Sequence, residues 1–547
     1  MSIAPKKESH PVKNRFVCSA YAVAIAILLS SLPAVGQVAV TTYHNDNYRS
    51  GLNAHETILK SSNVNEVSFG KRLVLPVEGY VYAQPLYVPG VQVNSAPHNV
   101  VYVVTEHDQV YAFDANSGQQ LWQKSFIGTF GNRQILPVSS DEVGCDDLVP
   151  EIGITSTPVI DLTTNEIYVV AKTKEIVNGH TTYYQRMHVL DIRTGMELLI
   201  NPFHGAPIKA KTPGTGSGSV DGYLIFDPLM QNQRAALALA NGLVFVSWGS
   251  HCDNDDYHGY VMAFSKSSLA PSGVFVTTPN AYGGGIWQGG WGPAVDSNNS
   301  IYVPTGNGYF DVNIGGIDYG DSILRLSWAG VFPRVADYFT PWDQAMLNPY
   351  NIDVSSGGTL LLPDQPGAQY PHLLVQAGKE GTIDLVNRDN MGHFNAGGDT
   401  QIVQTLPYII GGIFGGPAMW NNNLYFGGIY TPMKAFYFDP VAQQIQPNFT
   451  SFTPEYFNLY PPTPSVSANG TSNAIVWIIQ TDDYASGGNA TLRAYDATNL
   501  GTESYNSDQN QQRDQAGGAV KFAVPTVADG QVFVGAVNEV DVYGLLN

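Results

Sequence analysis

The chain has 547 residues, 26 Lys and Arg against 46 Asp and Glu, a formal charge of −20, and only 13% charged residues. An acidic surface of this kind repels phosphate backbones and anionic lipid, which excludes nucleic acid as a partner and argues against membrane-surface binding. Sparse charge with 56 Gly and 34 Pro suits a compact, turn-rich β protein.

In chain order, residues 1–36 read as an export signal. Lys6, Lys7, Lys13 and Arg15 precede an apolar run from Ala20 to Leu32, and Ala34-Val35-Gly36 offers small residues for cleavage. That run is shorter than the ~20 apolar residues of a membrane span, and nothing downstream approaches one. The expectation is a periplasmic or extracellular protein with one domain over 37–547. Loss of the leader removes four basic residues and one acidic residue and takes the formal charge from −20 to −23. It also removes Cys18. Cys145 and Cys252 remain, and in an exported chain they either pair with each other or stay as two separate buried thiols.

From residue 83 onward one phrase repeats: a short Pro-containing or small-residue strand, a turn, a Val/Tyr/Phe-rich strand, a loop, then another strand. It is clearest at Ser156-Thr157-Pro158-Val159-Ile160 followed by Ile167-Tyr168-Val169-Val170. Copies centre on Pro85, Pro158, Ala236, Pro293, Gly358, Pro417, Pro464 and Pro525, from 47 to 78 residues apart. A repeat of this length built from strands predicts an all-β fold, a single eight-bladed β-propeller of four-stranded antiparallel blades. In the first copy the strands are Ala83 to Leu86, Val100 to Val104, Val110 to Asp114 and Gln120 to Gln123, and Trp122 wedges between blades.

The last copy supplies only three strands, at Val524 to Val527, Val532 to Gly535 and Val540 to Leu545. The unused stretch Lys71 to Val77 is predicted to add the fourth and close the ring, removing a sheet edge. Alternating strand direction then gathers the long segments 124–154, 172–186, 200–234, 249–258, 306–320, 335–357 and 389–414 on one face. Function belongs on that face. Cys145 and Cys252 both fall there, so topology permits a disulfide between them. Acidic residues flank both cysteines, including Asp253 and Asp255, and suit either Ca²⁺ or bulk solvent.

The strands, turns and repeat count resemble the propeller of pyrroloquinoline-quinone-dependent alcohol dehydrogenases over essentially the whole of 37–547. The sharpest segment is Gly284-Gly285-Ile286-Trp287-Gln288-Gly289-Gly290-Trp291-Gly292-Pro293 with Ile301-Tyr302-Val303-Pro304-Thr305-Gly306-Asn307. The resemblance implies that Trp291 stacks on the quinone, which suits a flat aromatic, and that Asn307 ligates calcium. The alternatives are an inter-blade core Trp and a hairpin-turn Asn. Ala377 to Arg388 resembles the family segment whose cation reaches the quinone oxygens, placing Lys379 there, where it would meet charge developed on reduction. The family's calcium-binding Glu falls near Asn254, between Asp253 and Asp255.

Two features depart from that pattern. Val143-Gly144-Cys145-Asp146 holds one cysteine where the family has an adjacent pair. Asn348 or Tyr350 falls where its catalytic Asp belongs, leaving Asp343 or Asp353 as substitutes, and an Asn cannot act as a general base. No Gly-x-Ser-x-Gly, His-Glu-x-x-His, P-loop or Cys-x-x-Cys-His is present. The reading is therefore an exported propeller that binds a protein, glycan or small molecule on its loop-rich face without catalysis. The alternative is a Ca²⁺- and pyrroloquinoline-quinone-dependent dehydrogenase of alcohols or sugars.

Overall fold

The computed structural model describes residues 38–198, 205–254, 256–330 and 332–546. The expected leader and Asp255 lie outside them. The architecture is all-β: eight sheets of four or more strands follow one another, with one further two-stranded sheet. Among the described residues no helix is long and apolar enough to cross a membrane.

Each of the eight repeat centres sits one or two residues before the first strand of its repeat. Pro85 precedes Leu86–Val93, Pro158 precedes Val159–Asp161, Pro293 precedes Ala294–Val295, and Pro525 precedes Thr526–Ala528. Proline suits that place because a strand's entry needs no ladder N–H. The first sheet runs Leu86–Val93, Ala96–Thr105, Gln109–Asp114, Gln120–Ser125, all antiparallel. Its third turn forms as the sequence indicates: Asp114 Oδ1 accepts from the Asn116 and Ser117 amides, and Gly118 takes φ 74°.

The predicted N-terminal strand is present and longer than expected. Phe69–Tyr80 pairs antiparallel with Val537–Leu545 and completes the sheet of Thr526–Ala528 and Gln531–Gly535. The segment 172–186 is a correction: it is strand, not loop. Glu166–Val177 and His180–Asp191 form one long hairpin through Asn178-Gly179, both at positive φ, the two-residue turn whose twist matches paired strands.

Apolar clusters link each sheet to the next. One joins Phe533 and Val542 of the eighth sheet, Val101 and Phe113 of the first, and Ile167 and Leu190 of the second. Others join the second and third sheets through Tyr168 and Trp248, and the seventh and eighth through Trp477 and Val532. Trp122 crosses from the first sheet to the second, its indole N–H donating to Ile192 O at 3.0 Å. Burial on both faces explains why these strands read as apolar runs and not as alternation.

A segment that carries no strand signal binds the sheets together. Between Val40 and Glu56 the backbone meets the first strands in sequence order. Val40 N donates to Tyr87 O, Ile160 N to Thr41 O, Val295 N to Asn47 O, Leu361 N to Tyr48 O, Met419 N to Ser50 O, and Val466 N to Gly51 O. The third and eighth sheets are reached by side chains, Asn47 Nδ2 to Leu239 O and Asn53 Nδ2 to Val527 O. His44, Asn45, Arg49 and Gly51 curl this strap at φ between 58° and 74°. A Cβ on Gly51 would lie 2.4 Å from the His44 ring, so only glycine fits.

Arg49 is fully buried, and its guanidinium donates only to neutral oxygens: Pro293 O, Leu237 O, Tyr43 O and Thr42 Oγ1, at 2.8–3.4 Å. Burial pushes its pKa down to about 10, so it stays charged at neutral pH. Arg49→Met would leave those carbonyls unpaired in a dry site and should lower stability by about 3 kcal/mol. Urea denaturation checks this, and an unchanged midpoint would contradict it.

Candidate functional site

The connections that enter each sheet, together with two inter-strand loops, line a cavity of about 430 Å³. Arg234 comes from the entry to the third sheet, Trp287 to the fourth, Asp353 to the fifth, Phe414 to the sixth, Tyr460 to the seventh and Lys521 to the eighth. Cys252, Asp253 and Lys379 come from the loops. An adjoining cavity of about 450 Å³ shares Asp253 and Asn351 with it and adds Asn307. Residues from widely separated parts of the chain thus meet on one face.

Lys379 and Asn307 converge through two residues between them. Lys379 Nζ lies 2.5 Å from Asp353 Oδ2 and donates to Asn351 Oδ1 at 3.0 Å. The Asn307 amide N–H donates to Asp353 Oδ1 and its Nδ2 to Asn351 Oδ1, both at 2.9 Å. Both Asp353 oxygens are therefore occupied. Asn307 Oδ1 is buried with no partner. Asp253 accepts from the Tyr257 hydroxyl at 2.6 Å; burial, then the Asp353 charge, pushes its pKa up against that hydrogen bond. Asp321, which the sequence reading did not single out, is fully buried with Oδ2 unpartnered, and burial followed by Asp353 drives its pKa well up. Asp253, Asp353 and the orphaned Asn307 oxygen are hard donors of the type Ca²⁺ takes.

Trp291 does not reach either cavity. It is 0% exposed, its indole N–H donates to Thr359 O at 3.0 Å, and its ring lies 4.3 Å from the His44 ring. Gly358 and Gly416 leave room for it: a Cβ on either would sit within 2.5 Å of the indole. Trp291 belongs to the floor under the strap. Trp287, four residues earlier in the same motif, lines the cavity, and its indole nitrogen has no partner. The two Trp residues share one glycine-rich phrase, and nothing in residue type separates them. Asp343 lines a smaller cavity with Glu380 and Asp384, which shares Asp353 with the larger one.

The far wall is cationic and aromatic. The Arg234 guanidinium lies 4.9 Å from the Phe522 ring centre, and its Nε has no partner. Lys521 faces the Tyr460 ring at 5.5 Å and Asp147 at 3.8 Å, and burial, then the Arg234 charge, pushes its pKa down to about 8. Such a wall suits an anion with a flat apolar body.

Cys145 and Cys252 form a disulfide with Cα atoms 5.7 Å apart. It pins the loop carrying Asp253 to the connection carrying Asp147.

No protein-family model and no curated protein matches the chain. Solved structures do. A quinohemoprotein alcohol dehydrogenase from Comamonas testosteroni aligns over 96% of this chain and 84% of its own, at 14% identity and TM-score 0.59. A quinohemoprotein alcohol dehydrogenase from Pseudomonas putida HK5 aligns over 93% and 80%, at 14% and 0.57. A europium-containing methanol dehydrogenase aligns over 93% and 98%, at 12% and 0.54. At these identities the likeness is one of fold: the chain has a propeller architecture of the quinoprotein alcohol dehydrogenase type.

The disulfide spans 107 residues. Replacing both cysteines by serine should cost about 4 kcal/mol by relieving the unfolded chain of that closed loop. The urea midpoint with and without reductant measures it, and a wild-type midpoint insensitive to reduction would contradict it.

Proposed function

We propose that residues 37–547 form an exported eight-bladed β-propeller, closed by Phe69–Tyr80, that binds a small planar aromatic anion in its loop-bordered cavity without turning it over. The shared clusters between consecutive sheets, the last with the first included, support the ring. One observation carries the ligand class: Arg234, Lys379 and Lys521 stand in one wall system with Trp287, Phe414, Tyr460 and Phe522. The aromatic rings take a flat body by offset or edge packing, and the cations take its acidic groups. Binding without catalysis is favoured because Asp353 is held on one oxygen by Lys379 and on the other by the Asn307 amide. It serves as an anchor for the site's own polar groups.

A second reading is favoured by the unpartnered Asn307 Oδ1 beside Asp253. In that reading Asn307 and Asp253 would hold Ca²⁺, and the cavity would hold pyrroloquinoline quinone, which would supply a two-electron acceptor for an alcohol or sugar. Asp353 then takes the substrate hydroxyl proton, and Lys379 holds the carboxylate in place. Trp287, not Trp291, is the ring at the cavity wall.

Calorimetric titration of the purified 37–547 chain with pyrroloquinoline quinone, with and without Ca²⁺, tests both readings beside dye reduction with a panel of alcohols and sugars. The expected result is saturable binding, weakened at least tenfold in Arg234→Ala and in Trp287→Ala, with no dye reduction. Absence of binding at millimolar quinone overturns the ligand class. Dye reduction that vanishes in Asp353→Asn while binding persists establishes the second reading instead.

A further inference from the structure

The larger cavity is lined by Arg234, Lys379 and Lys521 against Asp147, Asp253 and Asp353. Their formal charges cancel, so the lining as a whole does not call for a heavily charged anion. What decides the ligand is which of these groups already have partners. Lys379 places its three N–H donors on Asp353 Oδ2, Asn351 Oδ1 and Asn351 O. Lys521 stands 3.8 Å from Asp147.

Arg234 and Asp253 are left, and among the described residues no salt bridge joins them. Arg234 is only 8% exposed, and among the described residues no oxygen accepts a hydrogen bond from its guanidinium. Of its three nitrogens only Nε is sealed off. The two terminal nitrogens keep open surface, and the space this residue lines is the cavity. The Tyr82 and Phe522 rings lie 5.6 and 4.9 Å from it and hold it in place without supplying a counter-charge. Buried Glu106 feels its charge but makes no salt bridge with it, and burial raises the Glu106 pKa to about 7. A covered guanidinium without an acceptor is costly until an oxyanion meets it. Asp253 is the converse. It lies where the two cavities meet, as Arg234 does not. Its Oδ1 accepts from the Tyr257 hydroxyl, while among the described residues nothing donates to Oδ2.

We propose that the ligand is a planar aromatic acid with two unlike ends: a carboxylate that pairs with Arg234, and a hydroxyl or amino group at the opposite end that donates to Asp253 Oδ2. The inference rests on the aromatic-anion reading above and assigns its two poles. A carboxylate suits Arg234 because two terminal N–H groups meet two oxygens side by side. A donor suits Asp253 because an ionised carboxylate only accepts. Trp287, Phe414 and Tyr460 line the same space and suit the flat body. An acid group at both ends would set one of them against Asp253.

Calorimetric titration of the full chain with 6-hydroxy-2-naphthoate, 2-naphthoate and 6-hydroxy-2-naphthamide, beside pyrroloquinoline quinone, tests the assignment. The hydroxynaphthoate is expected to bind saturably, about tenfold more tightly than either the amide or 2-naphthoate, as one hydrogen bond to a charged partner implies. In Arg234→Gln the preference for acid over amide should vanish and the preference for the hydroxyl remain. In Asp253→Gly, a change that the φ of 53° at this residue accepts, the reverse should hold. The wild-type series decides the matter even where a variant does not fold. Equal binding of acid and amide, or of the naphthoates with and without the hydroxyl, overturns the proposal. Quinone binding without naphthoate binding overturns it and leaves the aromatic-anion reading standing, whereas no binding by any of the four overturns both.

Discussion

The structure rests on the strap from Val40 to Glu56. Eight sheets, each covered on both faces by its neighbours, bury their faces well, but face-to-face packing fixes neither the angle between sheets nor the height of one against the next. Directional bonds do. The strap supplies them by presenting backbone carbonyls and Asn amides to the first strands in the order in which the sheets follow one another. Arg49 locks its middle, with five N–H donors shared among oxygens of the strap, Pro293 and Leu237. Several strap residues accept left-handed backbone conformations, each costing of order 1 kcal/mol, which the hydrogen bonds offset. His44 and Tyr43 then cover Trp291, so the Trp most similar to a cofactor platform is committed to the floor.

That division between floor and rim explains the site. The first strands and the strap consume the buried polar groups on one side. The connections and loops stay free to place charged and aromatic side chains on the other. The disulfide and the Lys379–Asp353 pair tie loops from different sheets together, so the cavity has a built shape although connections and loops supply nearly all of its lining. The charges are sorted as well: cations toward Arg234 and Lys521, and carboxylates toward Asp253 and Asp321.

Much of this was legible in the sequence. The Pro and Gly punctuation marked seven of the eight sheet entries, with Ala236 at the other, because proline at a strand start and tight turns leave a residue-type record. Lys71 to Val77, the middle of Phe69–Tyr80, was visible as a strand without a partner in its own repeat. Asn307, Lys379, Asp353 and the cysteine pair were visible because a motif or a topological face named them. The strap was not. Thr42-Tyr43-His44-Asn45-Asp46-Asn47 has turn composition and no period, and its role depends on bonds to strands hundreds of residues away, which leave no local pattern. Trp287 and Trp291 differ in fate only because the strap lies over one of them. The hairpin through Asn178-Gly179 was hidden by Lys, Thr and Glu residues that extend two strands past the packed core.

Native-state hydrogen exchange tests the role of the strap most directly. The amides of Ile160, Val295, Leu361, Met419 and Val466 lie in five different sheets and donate to strap carbonyls. They should exchange together, in the slowest class, with an opening free energy equal to that of global unfolding. If they exchange independently of one another, at rates like those of the outer strands Gln120–Ser125 and Glu503–Asn506, the strap is a passenger and the sheets hold one another without it.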